Sequence, residues 1–260
     1  LEVPLLADNP DAEYLFWVGC TGALVDRNIQ VTKALVKILQ AAGVSFAILG
    51  EEETCTGDPA RRLGNEYLYQ MLAQQNIETL KNYNVKKIVT HCPHCFNTLK
   101  NEYPQFGGHF EVMHHSQLIA RLLQDGRITP TQALRNKVTY HDACYLGRHN
   151  DVFTEPRQTL QAIPGLESQE MRWNQRKGLC CGAGGGHAFM EVNIGRRVNH
   201  IRTEQAIETG AAVVATGCPF CMQMFEDGIK AKGVEERMRV QDIAELVAHS
   251  LPDDQERGAG

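Results

Sequence analysis

Two sets of cysteines dominate the chemistry available to this chain of 260 residues. The first set contains Cys20, Cys55, Cys92 and Cys95, and the second contains Cys144, Cys180, Cys181, Cys218 and Cys221. Thiolate sulfur binds iron and zinc strongly, so a regular spacing that occurs twice predicts a metal-binding protein. We predict iron–sulfur clusters with all nine cysteines as ligands, and a role in electron transfer.

The repeat extends beyond the cysteines themselves. Residues 92–95 (Cys-Pro-His-Cys) match residues 218–221 (Cys-Pro-Phe-Cys) at an offset of 126. Both Cys55 to Cys92 and Cys181 to Cys218 span 37 positions, so the same offset pairs Cys55 with Cys181. Thr54 then stands opposite Cys180. The repeat predicts two similar half-domains, residues 1–127 and 128–260, related by pseudo-twofold symmetry.

Short apolar runs alternate with segments of helical periodicity in both halves. We predict strands at 15–18, 44–49, 88–90, 138–140 and 211–216, and helices at about 65–83 and 193–209. Residues 126–136 are the expected linker, and residues 253–260 the expected frayed tail. The pattern predicts an α/β fold with a small, mainly parallel sheet flanked by helices in each half. Each cysteine cluster follows a strand, so each set should meet at the carboxyl edge of its sheet.

A glycine-rich loop follows the adjacent cysteines of the second half, at residues 180–186. Glycines there let the backbone approach an inorganic cluster and offer it N–H groups, which tune reduction potential. We therefore predict that Gly182, Gly184 and His187 contact the cofactor. A phosphate-binding loop is a poorer interpretation, because no Gly-Lys-Ser/Thr follows.

Two other chemistries remain open for these cysteines. A Cys-Pro-His-Cys motif between a strand and a helix is also typical of thiol–disulfide oxidoreductases. Four cysteines also make a good tetrahedral zinc site, so the first half is a candidate for zinc in an interaction module. The five cysteines of the second half are one too many for a single zinc ion.

Several histidines lie close to the cysteines in sequence. His91 and His94 flank metal-ligand candidates, and either tune the site or fill space. His114 and its neighbour follow a predicted strand, where a structural role is the simpler interpretation. His141 precedes Cys144 at another strand end.

Composition excludes several classes of protein. The formal net charge is −5 and no basic stripe is visible, so nucleic-acid binding is not predicted. No apolar run reaches the ~18 residues of a membrane-spanning helix, and residues 1–10 do not read as a secretory signal. Nine cysteines with such close pairs fit metal-bound thiolates in a reducing cytoplasm. The opening without Met leads us to expect a C-terminal part of a longer protein.

The repeated pattern Cys…Cys-Cys-Gly…Cys-Pro-x-Cys resembles the cysteine-rich CCG domain, over roughly residues 14–250. This domain occurs in heterodisulfide reductase and in the iron–sulfur subunits of glycolate and lactate oxidation systems. It also occurs in membrane-linked oxidoreductases that accept electrons from electron-transfer flavoprotein. Residues 50–62 resemble this last group most closely. In that group the domain follows a membrane-embedded haem-binding region and a ferredoxin-like region.

The resemblance implies an electron-transfer module that passes electrons from a flavoprotein partner toward a quinone pool, at the inner face of the membrane. Partners would include further iron–sulfur or haem-bearing domains. It also implies a non-cubane or [4Fe-4S]-like cluster on the five cysteines of the second half. The first half departs from the family pattern at Thr54, so an iron–sulfur cluster, zinc or no metal all remain open there. The alternative that the family offers is direct reduction of a substrate disulfide at a cluster.

Overall fold

The structure, a computed structural model, describes residues 2–190 and 194–252. It contains two four-stranded parallel sheets. The strand order is β2-β1-β3-β4 in the first sheet and β6-β5-β7-β8 in the second. The first half contains β1 (Tyr14–Trp17), α1 (Cys20–Leu24), α2 (Asp26–Ala41), β2 (Phe46–Ala47), α3 (Asp58–Arg62), α4 (Glu66–Asn82), β3 (Lys87–Thr90), α5 (Pro93–Asn97), β4 (Glu111–His114) and α6 (His115–Gln124). The second contains β5 (Lys137–Tyr140), α7 (Thr154–Gln161), β6 (Glu167–Ser168), α8 (Val198–Glu208), β7 (Val213–Thr216), α9 (Pro219–Ala231), β8 (Arg239–Asp242) and α10 (Ile243–Ser250). The predicted α/β fold with two similar halves is confirmed.

The central strands β1, β3, β5 and β7 are buried on both faces because helices cover both sides of each sheet. In β1, Tyr14 and Phe16 face one hydrophobic core, whereas Leu15 and Trp17 face a second. This alternation follows from the two-residue repeat of a strand. The second core is the one that contains the buried cysteines, so Trp17 points toward the cysteine side of the sheet.

Some element boundaries differ from the sequence-based expectation. The strand expected at 44–49 is regular only over Phe46–Ala47, and the helix after Cys92 begins at Pro93, where proline needs no N–H partner. The helix expected at 193–209 is Val198–Glu208. Residue 193 and the expected tail at 253–260 lie outside the described residues. The linker region, 126–136, carries no helix or strand.

The two halves pack against each other through two pairs of helices. Helix α2 of the first half packs against α10 of the second, and α7 of the second half packs against α6 of the first. One hydrophobic core therefore contains residues of both halves. On its border, Arg27 of α2 donates hydrogen bonds to both carboxylate oxygens of Glu245 in α10, at 2.7 and 2.8 Å. These two helix pairs fix the position of the two sheets relative to each other. In each pair, one helix follows the first strand of its half (β1 or β5) and the other follows the last strand of the other half (β8 or β4).

This arrangement places both cysteine sets at carboxyl ends of strands. Cys92 is the N-cap of α5, directly after β3, and Cys218 is the N-cap of α9, directly after β7. Cys20 is the first residue of α1, after β1. Within the described parts of the chain, no helix is long and apolar enough to cross a membrane.

Candidate metal centres

The four cysteines of the first half gather in one site. The Cys20 thiol donates a hydrogen bond to the sulfur of Cys55, which lowers the pKa of Cys55 to about 7 and raises the pKa of Cys20. Cys95 lies beside Cys92, and their hydrogen bond together with burial raises the pKa of Cys95 well above its ordinary value. Charges on Cys20 and Cys55 also act on Cys95, so the two pairs face each other.

The five cysteines of the second half gather in the same way. Cys144 donates a hydrogen bond to Cys180, which lowers the pKa of Cys180 far below that of an ordinary thiol. The sulfur atoms of Cys181 and Cys221 are 3.2 Å apart. Charge on Cys218 acts on both Cys181 and Cys221, so all five thiols share one site. A cluster of thiolates of this size is suited to a polynuclear metal group.

The loops that carry Cys55 and Cys180 have equivalent geometry in the two halves. Their register differs by one residue from the one that the equal spacing predicts. The backbone N–H of Gly57 points at the sulfur of Cys55, at 3.5 Å, and the N–H of Gly182 points at the sulfur of Cys180, at 3.3 Å. Both glycines have positive φ, +86° and +96°. Cys55 is therefore the counterpart of Cys180.

Thr56, in consequence, takes the place of Cys181. The Thr56 hydroxyl lies 3.9 Å from the sulfur of Cys95, just as the Cys181 sulfur lies against Cys221, and both residues are buried. The prediction that Thr54 replaces a cysteine of the pair is wrong. The structure pairs Cys-Thr-Gly with Cys-Cys-Gly, so the thiolate missing from the first half is the inner, buried one.

Within the glycine-rich loop, Gly182 lies next to the cysteines and has little room for a side chain. A Cβ on Gly182 would lie 3.2 Å from both the backbone nitrogen of Asn199 and the Cβ of Val198. Gly184 has open space where a Cβ would lie. The side chain of His187 is exposed, and its Nδ1 lies 2.9 Å from the carbonyl oxygen of Gly184. Contact of Gly184 and His187 with a cofactor stays a prediction.

Aromatic side chains connect the two cysteine sites. His94 and Phe220 occupy the same position in the two Cys-Pro-x-Cys motifs, and their rings lie 4.8 Å apart. His94 also contacts the ring of Tyr145, at 4.3 Å, and its Nδ1 lies 2.8 Å from Asp58. Burial acts to raise the pKa of Asp58, but His94 and the guanidinium of Arg62 outweigh it and lower that pKa.

A second link runs through His114, which is fully buried at the end of β4. Its Nδ1 accepts from the N–H of Ser116 and caps α6, so its Nε2 carries a proton. Nε2 lies 3.0 Å from the carbonyl oxygen of Gly217 and 3.3 Å from that of His91. These two carbonyls immediately precede Cys218 and Cys92, so His114 ties together the loops of the two sites.

Buried donors near the second site have no acceptor in the described part of the chain. They are Nε2 of His141 and Nη2 of Arg202. One ring nitrogen of His141 lies within 4.8 Å of the sulfur atoms of Cys181 and Cys221. Buried donors without partners are rare in proteins, so these atoms indicate a further acceptor in the site. A group of anionic sulfur atoms fits that requirement.

The first site also borders an apolar cleft of about 750 Å³. Cys20 and Cys55 line one side of it, together with Glu53. Burial raises the pKa of Glu53 to about 7, although its carboxylate accepts hydrogen bonds from the N–H groups of Val18 and Gly19, at 2.9 and 2.5 Å. A small apolar molecule has access to the first site from this side.

Comparisons with known proteins agree with this repeated arrangement. The model of the cysteine-rich CCG domain matches residues 14–100 and again residues 138–226. A probable iron-sulfur-binding oxidoreductase, FadF, of Bacillus subtilis is 47% identical over 94% of this chain and 35% of its own length. An EtfAB:quinone oxidoreductase of Syntrophomonas wolfei is 46% identical over 92% of this chain and 34% of its own length.

A more distant relative belongs to the dihydromethanophenazine:CoB–CoM heterodisulfide reductase of Methanosarcina barkeri, in which it is one of the subunits. It is 35% identical over 92% of this chain and 59% of its own length. The chain therefore spans about a third of the first two relatives and 59% of this one. The resemblance read from the sequence is confirmed.

Proposed function

Because this chain belongs to the CCG family of cysteine-rich domains, we propose that it is the iron–sulfur electron-transfer module of an oxidoreductase. In this proposal it passes electrons from a flavoprotein partner toward a quinone pool. The observation that carries the proposal is the convergence of nine thiols into two sites at the carboxyl ends of two parallel sheets. The printed names of the relatives, an iron–sulfur oxidoreductase and an EtfAB:quinone oxidoreductase, support it.

Each half-domain, 1–127 and 128–260, holds its own ligand set in this proposal. The first set is Cys20, Cys55, Cys92 and Cys95, and the second is Cys144, Cys180, Cys181, Cys218 and Cys221. The bound cluster supplies one-electron transfer, with a potential set by hydrogen bonds and burial. Gly57 and Gly182 contribute N–H groups directed at ligand sulfurs. Gly184 and His187 lie further along the same loop and are proposed to close over the cluster.

The spacing of the thiols supports a polynuclear group over zinc in the first half. Four sulfurs around one zinc ion, with bonds of ~2.3 Å, lie only about 3.8 Å from one another. Among the described residues, the only three His, Cys, Asp or Glu side chains whose ligand atoms all lie within 4.8 Å are His141, Cys181 and Cys221. The four thiols of the first half are therefore spread more widely than a zinc site. A cluster with several irons fits them better, and a zinc-bound interaction module fits them less well.

The partners in this proposal are an electron-donating flavoprotein and other iron–sulfur or haem-bearing domains. The lengths of the relatives support it, because this chain spans only part of each of them. Partner domains that lie in or on the membrane would hold the module at the cytoplasmic, inner face.

Direct reduction of a substrate disulfide is a second candidate function. The apolar cleft beside Cys20 and Cys55 favours it, because a small molecule could reach the ligand sulfurs there. The heterodisulfide reductase relative favours it as well. A cluster spectrum that shifts when small disulfides or thiols are added would support this candidate, and an unchanged spectrum would support the electron-transfer module.

Substitution of single cysteines tests the proposed function. Cys181→Ser and Cys218→Ser should each remove most of the visible absorption that the second-half cluster contributes after anaerobic reconstitution. Circular dichroism checks that each variant keeps its fold. Spectra and iron content equal to those of the wild type in both variants would overturn the proposal.

A further inference from the structure

The second half buries a guanidinium that has no carboxylate partner among the described residues. Arg202, on α8, is fully buried. It donates hydrogen bonds to His141 Nδ1 at 3.1 Å, to the carbonyl oxygen of Trp173 at 2.8 Å and to Gln205 Oε1 at 2.7 Å. Burial lowers the pKa of Arg202 to about 10, so the group remains charged at neutral pH. A buried charge without a counter-charge is strongly destabilising, so an anion is expected nearby.

The nearest sulfur atoms are candidates for this anion. The carboxylate of Asp142 is the largest stabilising charge on the Arg202 guanidinium, but it is already paired with Arg157, and the sulfurs of Cys221 and Cys181 come next. These two thiols become thiolates when they coordinate metal. Metal binding would therefore add negative charge beside Arg202.

The position of the proton on His141 follows from its contact with Arg202. A guanidinium only donates, so Nδ1 of His141 must accept. Because Nδ1 accepts, the ring proton of His141 lies on Nε2. A ring nitrogen that carries a proton cannot bind metal. His141 is therefore not a ligand but carries an N–H without a partner in the described part of the chain, and one of its ring nitrogens lies within 4.8 Å of the sulfurs of Cys181 and Cys221.

The first half lacks both the charge and the thiolate. Helices α4 and α8 end 126 residues apart, at Asn82 and Glu208, and their buried positions match at that offset. Asn76 occupies the position of Arg202 and is neutral, and Thr56 occupies the position of Cys181. Trp17 lies three residues before Cys20, as His141 lies three residues before Cys144, and its buried Nε1 also has no partner in the described chain. The half with the additional thiolate is thus the half with the additional cation.

We infer that Arg202 is the counter-charge of the five-cysteine site and that it acts through His141, whose Nε2–H it directs at the ligand sulfurs. This inference rests on the proposed function. A positive charge next to the ligand set stabilises the reduced, more negative state, and so raises the reduction potential. Arg202 is a positioning residue in this scheme, because His141 lies between it and the sulfurs.

The test is a potentiometric titration of the second-half cluster, followed by electron paramagnetic resonance, in four anaerobically reconstituted proteins. They are the wild type, Arg202→Met, Arg202→Lys and Arg196→Met. Arg196 is an exposed arginine of the same half, paired with Glu204, and serves as the matched control. Arg202→Met should lower the equilibrium constant for reduction at least tenfold, which is about 59 mV for one electron. Arg202→Lys, which keeps the charge, should shift less than half as far, and Arg196→Met should not shift.

A second readout does not depend on the potential. Loading with metal should raise the urea midpoint of the wild type and of Arg202→Lys more than that of Arg202→Met. An Arg202→Met protein that fails to retain iron while Arg202→Lys retains it also supports the inference. Equal potentials and equal gains on loading in Arg202→Met and the wild type would overturn it. Failure of the wild type to take up iron would instead overturn the proposed function, so the two failures are distinguishable.

Discussion

Thr56→Cys should give the first half the fifth thiolate that it lacks, whereas Thr54→Cys should not. Thr56 is buried, with 2% of its surface exposed, and its hydroxyl lies 3.9 Å from the sulfur of Cys95. Cysteine is close to threonine in size, so a sulfur placed there would face the site as Cys181 does in the second half. Thr54 has the same chemistry and lies only two residues away, which makes it a sharp control.

Without metal, the two substitutions should also differ in their effect on stability. Thr54→Cys should lower the free energy of unfolding more than Thr56→Cys does. The Thr54 hydroxyl donates a 2.8 Å hydrogen bond to Oδ1 of Asn76, whose amide holds the Cys55 carbonyl and the Tyr103 hydroxyl. Loss of this hydrogen bond leaves the buried Oδ1 of Asn76 unpaired, which should lower the free energy of unfolding by about 1–3 kcal/mol. The contact that Thr56 makes with sulfur is long, so its loss is at the low end for a hydrogen bond, about 0.5 kcal/mol.

The assay has two parts. Urea unfolding of the reduced, metal-free proteins gives the free energy of unfolding of each variant. Iron, sulfide and electron paramagnetic resonance are then measured in a background that carries Cys218→Ser and Cys221→Ser, so that only the first half loads. Thr56→Cys should change the cluster signal and Thr54→Cys should leave it as in the background. A changed signal in Thr54→Cys with an unchanged signal in Thr56→Cys would refute the register of the two loops.

Two further predictions concern His114 and Asp242, which are buried where the two halves meet. His114→Ala should destabilise the metal-free protein by about 2–4 kcal/mol, because it removes a helix N-cap worth about 1 kcal/mol and leaves the buried Gly217 carbonyl unpaired at about 1–3 kcal/mol. His109→Ala, at an exposed histidine, should stay within about 0.5 kcal/mol, and urea unfolding measures both. Asp242→Asn should flatten the dependence of stability on pH while keeping the cap on the Ala244 N–H. Burial raises the pKa of Asp242 to about 7, above the ~3.9 of an unfolded chain. The folded state therefore holds a proton that the unfolded state loses. Its stabilising contribution is complete below about pH 4 and is lost as the pH rises to about 7, at about 1.4 kcal/mol per pH unit.

Clear outcomes would contradict these two predictions. If His114→Ala unfolds at the same urea concentration as His109→Ala, the link between the two cysteine loops carries little energy. If Asp242→Asn keeps the wild-type slope of unfolding free energy between about pH 4 and 7, Asp242 is ionised in the folded protein. Chelator and reductant are present throughout, so that metal does not contribute to either measurement.

The elements of the fold were readable from the sequence because strand and helix periodicities are local. The apolar run at 88–90 was enough to place β3 and its end just before Cys92. The same reasoning placed all nine cysteines near the carboxyl edges of parallel strands. Packing of α2 on α10 and of α6 on α7 was not readable. It depends on which apolar faces meet across the two halves, and periodicity does not specify a partner.

The register of the middle cysteines was misread for an identifiable reason. An equal spacing of 37 positions paired Cys55 with Cys181, but the second half has one additional residue between its glycine and the end of α8. The better signal was the local one, Cys-Thr-Gly against Cys-Cys-Gly, because each glycine needs a positive φ. Arg202 was missed because a single arginine in a helix usually lies on the surface.

A single anaerobic preparation can show whether both halves hold iron–sulfur clusters on the nine cysteines. Iron, acid-labile sulfide and zinc are measured on the same sample as an electron paramagnetic resonance spectrum, before and after reduction. We predict several irons with matching sulfide, little zinc, and a signal that changes with reduction in two separable steps. Zinc alone, or metal-free protein with nine thiols open to titration, would contradict it.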